Sequence, residues 1–316
     1  MPANSLPDGI WSGIPMPWKN DETLDPDALR RLIHRCAHNR SDGIYVCGTT
    51  GEFHAMDLRQ FTAVVEVFTQ EMRRHPHVGM QVGCGASSLK QALERLRIAS
   101  SFGVENIQMN LPGWLTLTDD EILYFYQSIA DRMPHLKIIV YDVAASGRII
   151  SEEVWQKLIL QVPSIVGAKI TYEAPKLLSL IRTLRPDFRF FAVENTFFAM
   201  SQLGINGVTA WLSYSLPQMI GDMWAAVKAK DWARFKRDEA LVKLLHEIKS
   251  AVRSQGYRGG IIDRLMGLAS GFLDPVFARS LAPWRAVDLA DVAWVRQAIV
   301  ARLGPEVLKF NAADIP

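Results

Sequence analysis

The run Ile165-Val166-Gly167-Ala168-Lys169 is apolar until its last residue, continues into Ile170-Thr171, and gives way to the amphipathic stretch 175–184. Short apolar runs bounded by turns read as buried strands, and longer stretches with apolar residues three and four apart read as helices. The same beat recurs along the chain. Strand-like runs cover residues 10–18, 43–47, 78–82, 106–111, 138–141, 165–169, 188–193 and 207–212. Helical stretches follow at 26–39, 58–74, 89–102, 119–133, 152–161, 175–184, 196–203 and 217–228. Asp25, Asp57 and Ser87 or Ser88 stand where N-caps belong. Eight strand–helix units in succession predict an α/β fold of the (β/α)8 TIM-barrel type. A doubly wound open sheet is the alternative. It more often carries a Gly-rich phosphate turn after the first strand, and Met16-Pro17-Trp18-Lys19 is not such a turn. Beyond Trp232 only helical patterns remain, at 233–255, 260–270 and 289–303. The expected organisation is a catalytic barrel over residues 1–231 and a C-terminal helical domain over residues 232–316, joined near residues 228–231.

Composition narrows the class of ligand. The chain has 316 residues, 49% hydrophobic and 22% charged, which excludes a disordered, collagen-like or coiled-coil chain. Lys and Arg total 35 against 33 Asp and Glu, a net charge of +2, so nothing marks a nucleic-acid or anionic-membrane partner. The basic cluster Arg234-Phe235-Lys236-Arg237 is followed by Asp238 and Glu239 and reads as a solvated helix face. Cys36, Cys47 and Cys84 are too few and too scattered for a disulfide framework, which points to a reducing compartment. The N-terminus lacks the basic-then-apolar pattern of a signal peptide, and no run of about 18 apolar residues exists. A cytoplasmic protein acting on a small molecule is expected.

In a barrel of this kind the chemistry sits where strands end and βα loops begin. Lys169 ends strand six. With a desolvated stem its charged form is disfavoured, so burial is expected to lower its pKa and supply a neutral amine that attacks carbonyls; the plain alternative is a lysine that snorkels to solvent. Tyr141 ends strand five, and its phenol can give and take back a proton or serve as an ordinary hydrogen-bonded strand-end tyrosine. Gly48-Thr49-Thr50-Gly51-Glu52 follows strand two. Its glycines permit a tight turn, and the hydroxyl and amide groups of Thr49 and Thr50 suit a carboxylate. Other clusters carry less. Gly83-Cys84-Gly85-Ala86-Ser87-Ser88 lacks the P-loop lysine. His34, Cys36 and His38 lie on a helix, where side chains two apart diverge, so no metal site is expected there. His75 and His77 flank Pro76 and read as surface residues. Asp263 and Arg264 read as a pair within the appendage. No metal, nucleotide or haem motif is present, and no cofactor is expected.

Lys169, Tyr141 and the 48–52 loop, in this order on strands six, five and two, resemble the dihydrodipicolinate synthase / N-acetylneuraminate lyase family. The likeness runs from about Gly9 to Pro217 and includes Pro15-Met16-Pro17 and Gly207-Val208-Thr209-Ala210. It implies a TIM barrel with a C-terminal helical bundle, assembled as a homo-oligomer, either a dimer or a tetramer. It also implies that Lys169 forms a Schiff base with pyruvate or another 2-oxo acid. Tyr141 would be the acid/base; Gly48, Thr49 and Thr50 would hold the carboxylate, with Thr50 in the proton relay.

The departures direct the choice of second substrate. Dihydrodipicolinate synthases usually carry a Tyr pair after strand four, where this chain has Leu111-Pro112-Gly113-Trp114. They also carry an Arg soon after the strand-five Tyr, whereas Arg148 falls later. Trp114, the following Leu123-Tyr124-Phe125-Tyr126, and Thr209-Ala210-Trp211 look like hydratase-aldolases of aromatic benzylidenepyruvates, and with Tyr214 they would suit a flat substrate. Thr171 and Glu194 instead resemble lyases and dehydratases of hydroxylated sugar acids. The sequence therefore predicts first a lyase or aldolase that joins or splits a 2-oxo acid and an aldehyde-type partner at C3, with Thr171, Glu194, Thr209 and Trp114 contacting substrate. A dehydratase of a 2-keto-3-deoxy sugar acid, a dihydrodipicolinate synthase-like condensation, and a ligand-binding regulatory barrel without turnover are the alternatives.

Overall fold

A computed structural model of the chain describes residues 6–308. Its elements are β1 (Gly9–Gly13), α1 (Pro26–His38), β2 (Gly43–Val46), α2 (Leu58–Met72), β3 (Gly79–Gly83), α3 (Leu89–Ser101), β4 (Asn106–Met109), α4 (Asp119–Arg132), β5 (Lys137–Asp142), α5 (Glu152–Gln161), β6 (Ile165–Ile170), α6 (Pro175–Leu184), β7 (Arg189–Ala192), α7 (Phe197–Ser201) and β8 (Gly207–Thr209). There follow α8 (Leu212–Ser215), α9 (Pro217–Ala229), α10 (Trp232–Ser254), α11 (Gly260–Ser270) and α12 (Leu289–Leu303). The eight strands are parallel and close in sequence order, β8 pairing with β1. This is the expected (β/α)8 barrel.

Caps set the helix starts. Asp25, Asp57, Ser88, Thr118 and Ser151 each accept a hydrogen bond from a backbone N–H in the first turn of α1 to α5. That satisfies one of the donors a helix start leaves open. Apolar helix faces such as Leu29, Ile33 and Cys36 of α1 pack on the outside of the barrel with outward strand residues such as Ile44 and Val46, in the main core.

The barrel interior is a separate small cluster of Trp11, Tyr45 and Phe191. It forms by pairing large with small across β1 and β2. In the register Trp11 sits opposite Gly43, and Gly13 opposite Tyr45. A Cβ on Gly43 would lie 2.3 Å from the Trp11 ring, and one on Gly13 would lie 2.4 Å from the Tyr45 ring. Each glycine thus leaves the space its neighbour's ring fills, the interlocking that a packed barrel centre needs.

Two strand readings overshoot by three residues or more. The run 10–18 leaves the sheet at Gly13 because Pro15 and Pro17 have no N–H for a ladder. The run 207–212 stops at Thr209, and Leu212 opens α8 instead. His75 also corrects its surface reading: it is 6% exposed, beneath the rings of His34 and His38. After α9 the chain turns through Lys230 in the left-handed region (φ 54°), and Asp231 caps α10. Among the described residues no helix is long and apolar enough to cross a membrane.

Candidate active site

Strand register brings the two central residues together. Tyr141 of β5 is paired with Lys169 of β6, and both side chains point into the barrel mouth. The Lys169 Nζ lies 4.3 Å from the centroid of the Tyr141 ring and 5.1 Å from that of Tyr45. It donates a 3.2 Å hydrogen bond to the Tyr45 hydroxyl. Lys169 is 7% exposed, so its stem does not snorkel to solvent.

The charge of Lys169 differs from expectation. Burial pulls its pKa down. The phenolate forms of Tyr45 and Tyr141, the Tyr45 hydrogen bond and the Glu194 carboxylate pull it up, and the net direction is upward. The sequence reading considered desolvation alone. The ammonium is held by aromatic faces and a hydrogen bond. Burial raises the Tyr45 phenol above its ordinary value, with Lys169 opposing.

The strand-two loop is bracketed by two non-glycine residues in the left-handed region, Cys47 (φ 57°) and Glu52 (φ 60°), a conformation that persists only where surrounding contacts enforce it. The C-terminal helices supply those contacts. Arg264 and Glu52 form an ion pair with both side chains fully buried. Arg264 Nε donates to Glu52 Oε1 at 3.0 Å, while its other nitrogens donate to the carbonyls of Phe277 (2.8 Å) and Met16 (2.9 Å). The second Glu52 oxygen accepts from the Leu281 N–H at 2.8 Å. Gly260 starts α11 so close to the loop that a Cβ there would lie 2.2 Å from the Thr49 carbonyl oxygen. Thr50 Oγ1 donates to Asp263 Oδ2 at 2.7 Å.

Asp263 and Arg264 therefore do not pair with each other. Neighbouring residues on a helix point about 100° apart, so Asp263 faces the mouth and Arg264 the core. Lys249 of α10 stands between Asp263 (3.3 Å) and Glu194 (3.6 Å), with its Nζ 4.6 Å from the centroid of the Trp211 ring. Glu194 is pushed up by burial, with Lys249 opposing.

These groups line a cavity of about 230 Å³ holding Tyr45, Thr49, Thr50, Tyr141, Lys169, Thr171, Glu194, Thr209, Trp211, Lys249, Arg253 and Asp263. Thr171 and Thr209 donate to the carbonyls of Asp142 (3.2 Å) and Ala192 (3.4 Å). Asp142 anchors the end of β5 by accepting from Tyr172 and Trp155. A more apolar cavity of about 340 Å³ adjoins across Thr49 and Tyr141, with Phe53, Val143, Ile261, Trp284 and Arg258 in its wall. Among the described residues no His or Cys joins the Lys169 cavity, whose carboxylates Glu194 and Asp263 both face Lys249.

Of the residues expected from sequence, Trp114 stands apart. It is 89% exposed and borders an outer cavity with His54, Asn110 and Ser146. Tyr214 is buried beneath the site, donating to the Asp263 carbonyl at 3.0 Å. Arg148 is turned away, paired with Asp119 at 2.8 Å and donating to the Leu117 carbonyl. Gly48 underlies the Tyr45 ring, 2.7 Å from where its Cβ would be. Sequence reasoning missed Tyr45, Lys249, Arg253, Arg258 and the part played by Asp263. For Tyr45 a signal existed: it sits inside the apolar run 43–46, at the alternate position from Gly43.

Comparison with known proteins agrees with this architecture. Residues 6–259 match the Dihydrodipicolinate synthetase family. A 4-hydroxy-tetrahydrodipicolinate synthase of Ehrlichia canis is 26% identical over 220 residues, 68% of this chain and 73% of that protein. A DapA-like lyase of Pyrococcus abyssi is 26% identical over 277 residues, 85% of each chain. Among solved structures, the synthase of Cyanidioschyzon merolae with lysine bound superposes with a TM-score of 0.84 at 20% identity, covering 94% of this chain and 98% of that one. The prophage protein YagE of E. coli K12, solved in complex with pyruvate, gives 0.82 at 18%, covering 97% and 100%. With a match over most of its length and the same closed barrel, this chain belongs to the dihydrodipicolinate synthetase family.

Proposed function

We propose that the protein is a class I lyase or aldolase that forms a Schiff base between Lys169 and pyruvate or another 2-oxo acid and makes or breaks the bond at its C3. The observation that carries the reading is the Lys169 Nζ, buried at a cavity floor between the phenols of Tyr45 and Tyr141. The amine adds to the C2 ketone, the carbinolamine loses water, and the protonated imine then accepts the electron pair released at C3. Tyr141, accessible from both cavities, is placed to move the proton of the reacting hydroxyl. The backbone N–H groups of Gly48, Thr49 and Thr50 and the Thr49 hydroxyl suit the carboxylate, while the Thr50 hydroxyl, which donates to Asp263, belongs to the proton relay. The imine is itself the electron sink, so the scheme uses no cofactor. YagE, solved with pyruvate, supports the choice of 2-oxo acid. Two or four copies of the chain are part of the same proposal, supported by the exposed Trp114, Leu115 and Tyr124 beside the mouth.

The polar wall of Thr171, Glu194, Lys249 and Asp263 favours a second reading, a dehydratase or lyase of a hydroxylated sugar acid, whose hydroxyls need such partners. The engagement of Arg148 with Asp119 speaks against a dihydrodipicolinate synthase-like condensation. Borohydride reduction in the presence of pyruvate, followed by peptide mass spectrometry, tests the central step. A reduced pyruvyl adduct on Lys169 is expected, absent in Lys169→Ala, whose turnover falls by about 10⁴-fold or more. No adduct on the native protein with any 2-oxo acid would leave a binding barrel as the better account.

A further inference from the structure

The face of the barrel opposite the mouth carries a cluster that the proposed chemistry does not use. His34 and His38 are four apart on α1 and share one side of the helix, while Cys36 between them is buried in the core. Spacing of two diverges; spacing of four converges. His75, in the turn between α2 and β3, completes the group, and one ring nitrogen from each of the three lies within 4.8 Å of the others. The ring centroids of His34 and His38 are 4.0 Å apart, and that of His75 is 5.4 Å and 5.8 Å from them.

We propose that His34, His38 and His75 form a zinc-class metal site that ties the C-terminal end of α1 to the α2–β3 turn. Three imidazoles with room for a fourth ligand are a donor set zinc accepts tetrahedrally, at N–Zn distances of about 2.0–2.1 Å. That geometry needs neighbouring nitrogens about 3.4 Å apart. The widest pair must therefore close by up to about 1.4 Å, and of the three rings that of His38 is the exposed one.

Two features prepare the ligands. Nδ1 of His38 lies 2.9 Å from the His34 carbonyl. Donation there fixes the tautomer and leaves Nε2 as the lone-pair nitrogen, as ligating histidines commonly do. The carboxylate of Glu71, itself buried, lies 3.5 Å from Nε2 of His75. That distance is long for a hydrogen bond, and the buried Nε2 has no other partner. Glu71 is thus placed either to orient His75 or to enter the fourth position. The site lies at the N-terminal ends of the strands, the end of such barrels that carries stability rather than chemistry. Its role is structural.

The test uses the full chain stripped with a chelator and then titrated with zinc chloride by calorimetry, with cobalt chloride as a visible-absorption probe. Expected are one zinc per chain with a Kd of about 1 μM or below, an intense tetrahedral cobalt spectrum, and a metal-dependent rise in Tm of about 3–10 °C. His38→Ala and His34→Gln, each checked for an unchanged metal-free Tm, lose at least about 100-fold in affinity while borohydride trapping at Lys169 is unchanged. His135→Ala, outside the cluster, binds as the native chain does. If zinc binds no more tightly than about 100 μM, or if His38→Ala binds as tightly as the native protein, the site does not exist. Because trapping at Lys169 is read separately, failure of the metal site leaves the lyase reading standing, and the reverse holds.

Discussion

The Lys169 cavity has two walls of different origin. One is built by barrel strands: Tyr45, Tyr141 and Lys169 project from β2, β5 and β6, and the last two sit in direct register. The other is built by C-terminal helices: Lys249 and Arg253 from α10 and Asp263 from α11. The strand wall is held by backbone ladders and carries Lys169 with its phenols. The helical wall is held by side-chain ion pairs and carries the charges of Lys249, Arg253 and Asp263. Under the proposed function, chemistry and substrate choice fall to two separate supports.

What joins the walls is the buried pair of Glu52 and Arg264. Removing one partner leaves an uncompensated charge in the interior, which costs about 3–5 kcal/mol. Glu52→Ala is therefore expected to lower unfolding stability in urea by about that amount. It should also loosen the left-handed residue at the end of the Thr49–Thr50 loop, so that KM for the 2-oxo acid rises. The double variant Glu52→Leu/Arg264→Met removes both charges and should recover most of the stability, since a packed apolar pair of similar volume is often no worse. If Glu52→Ala melts like the native chain, the two walls are not coupled through this pair.

The strand wall was legible in the sequence and the helical wall was not, for a physical reason. A strand's period of two and the location of chemistry at strand C-termini place Tyr141 and Lys169 in the mouth from local pattern alone. Tyr45 was legible by the same rule but is hidden inside an apolar run, where an aromatic reads as core. Lys249 and Asp263 lie on helices whose docking depends on contacts with loops some 200 residues earlier, such as Thr50 to Asp263. No local period encodes such contacts. The same limit explains Arg264, which looks like a surface partner of Asp263 until the packing of α11 turns it inward, and His75, whose loop position says nothing of the helix face above it. Trp114 fails in the opposite direction: an aromatic after strand four suggests a pocket wall, but its loop carries the ring out into solvent.

Within the strand wall, Tyr45→Phe separates the phenol from the ring. The ring face remains over Lys169, while the hydrogen bond and the ionisable oxygen are lost. Both of those hold the lysine up, and burial pulls it down. The Lys169 pKa therefore falls in the variant, and its amine fraction at a given pH grows. The pH profile of borohydride trapping rises with pH in the native protein, and its rising limb should move to lower pH in Tyr45→Phe. The plateau of turnover should drop by about 10–100-fold, since one proton carrier is gone. A limb that stays in place would mean that Tyr45 only packs.

The smallest effect is expected on the helical wall. Lys249 touches Glu194, Asp263 and the Trp211 ring. Lys249→Met keeps the stem over Trp211 and removes the charge. Two carboxylates then face the cavity without their cation, and an anionic second substrate is repelled. KM for that substrate should rise by several-fold, and kcat should stay within about threefold, because the interaction is of the uniform-binding kind. Pyruvate trapping at Lys169 should be unchanged, since in the proposed function the strand-two loop holds the carboxylate of pyruvate. If trapping falls as far as turnover does, the two walls act as one site, and the separation of chemistry from substrate choice is wrong. If KM falls instead, the second substrate meets Glu194 and Asp263 through hydroxyls, and the reading as an enzyme of hydroxylated substrates gains.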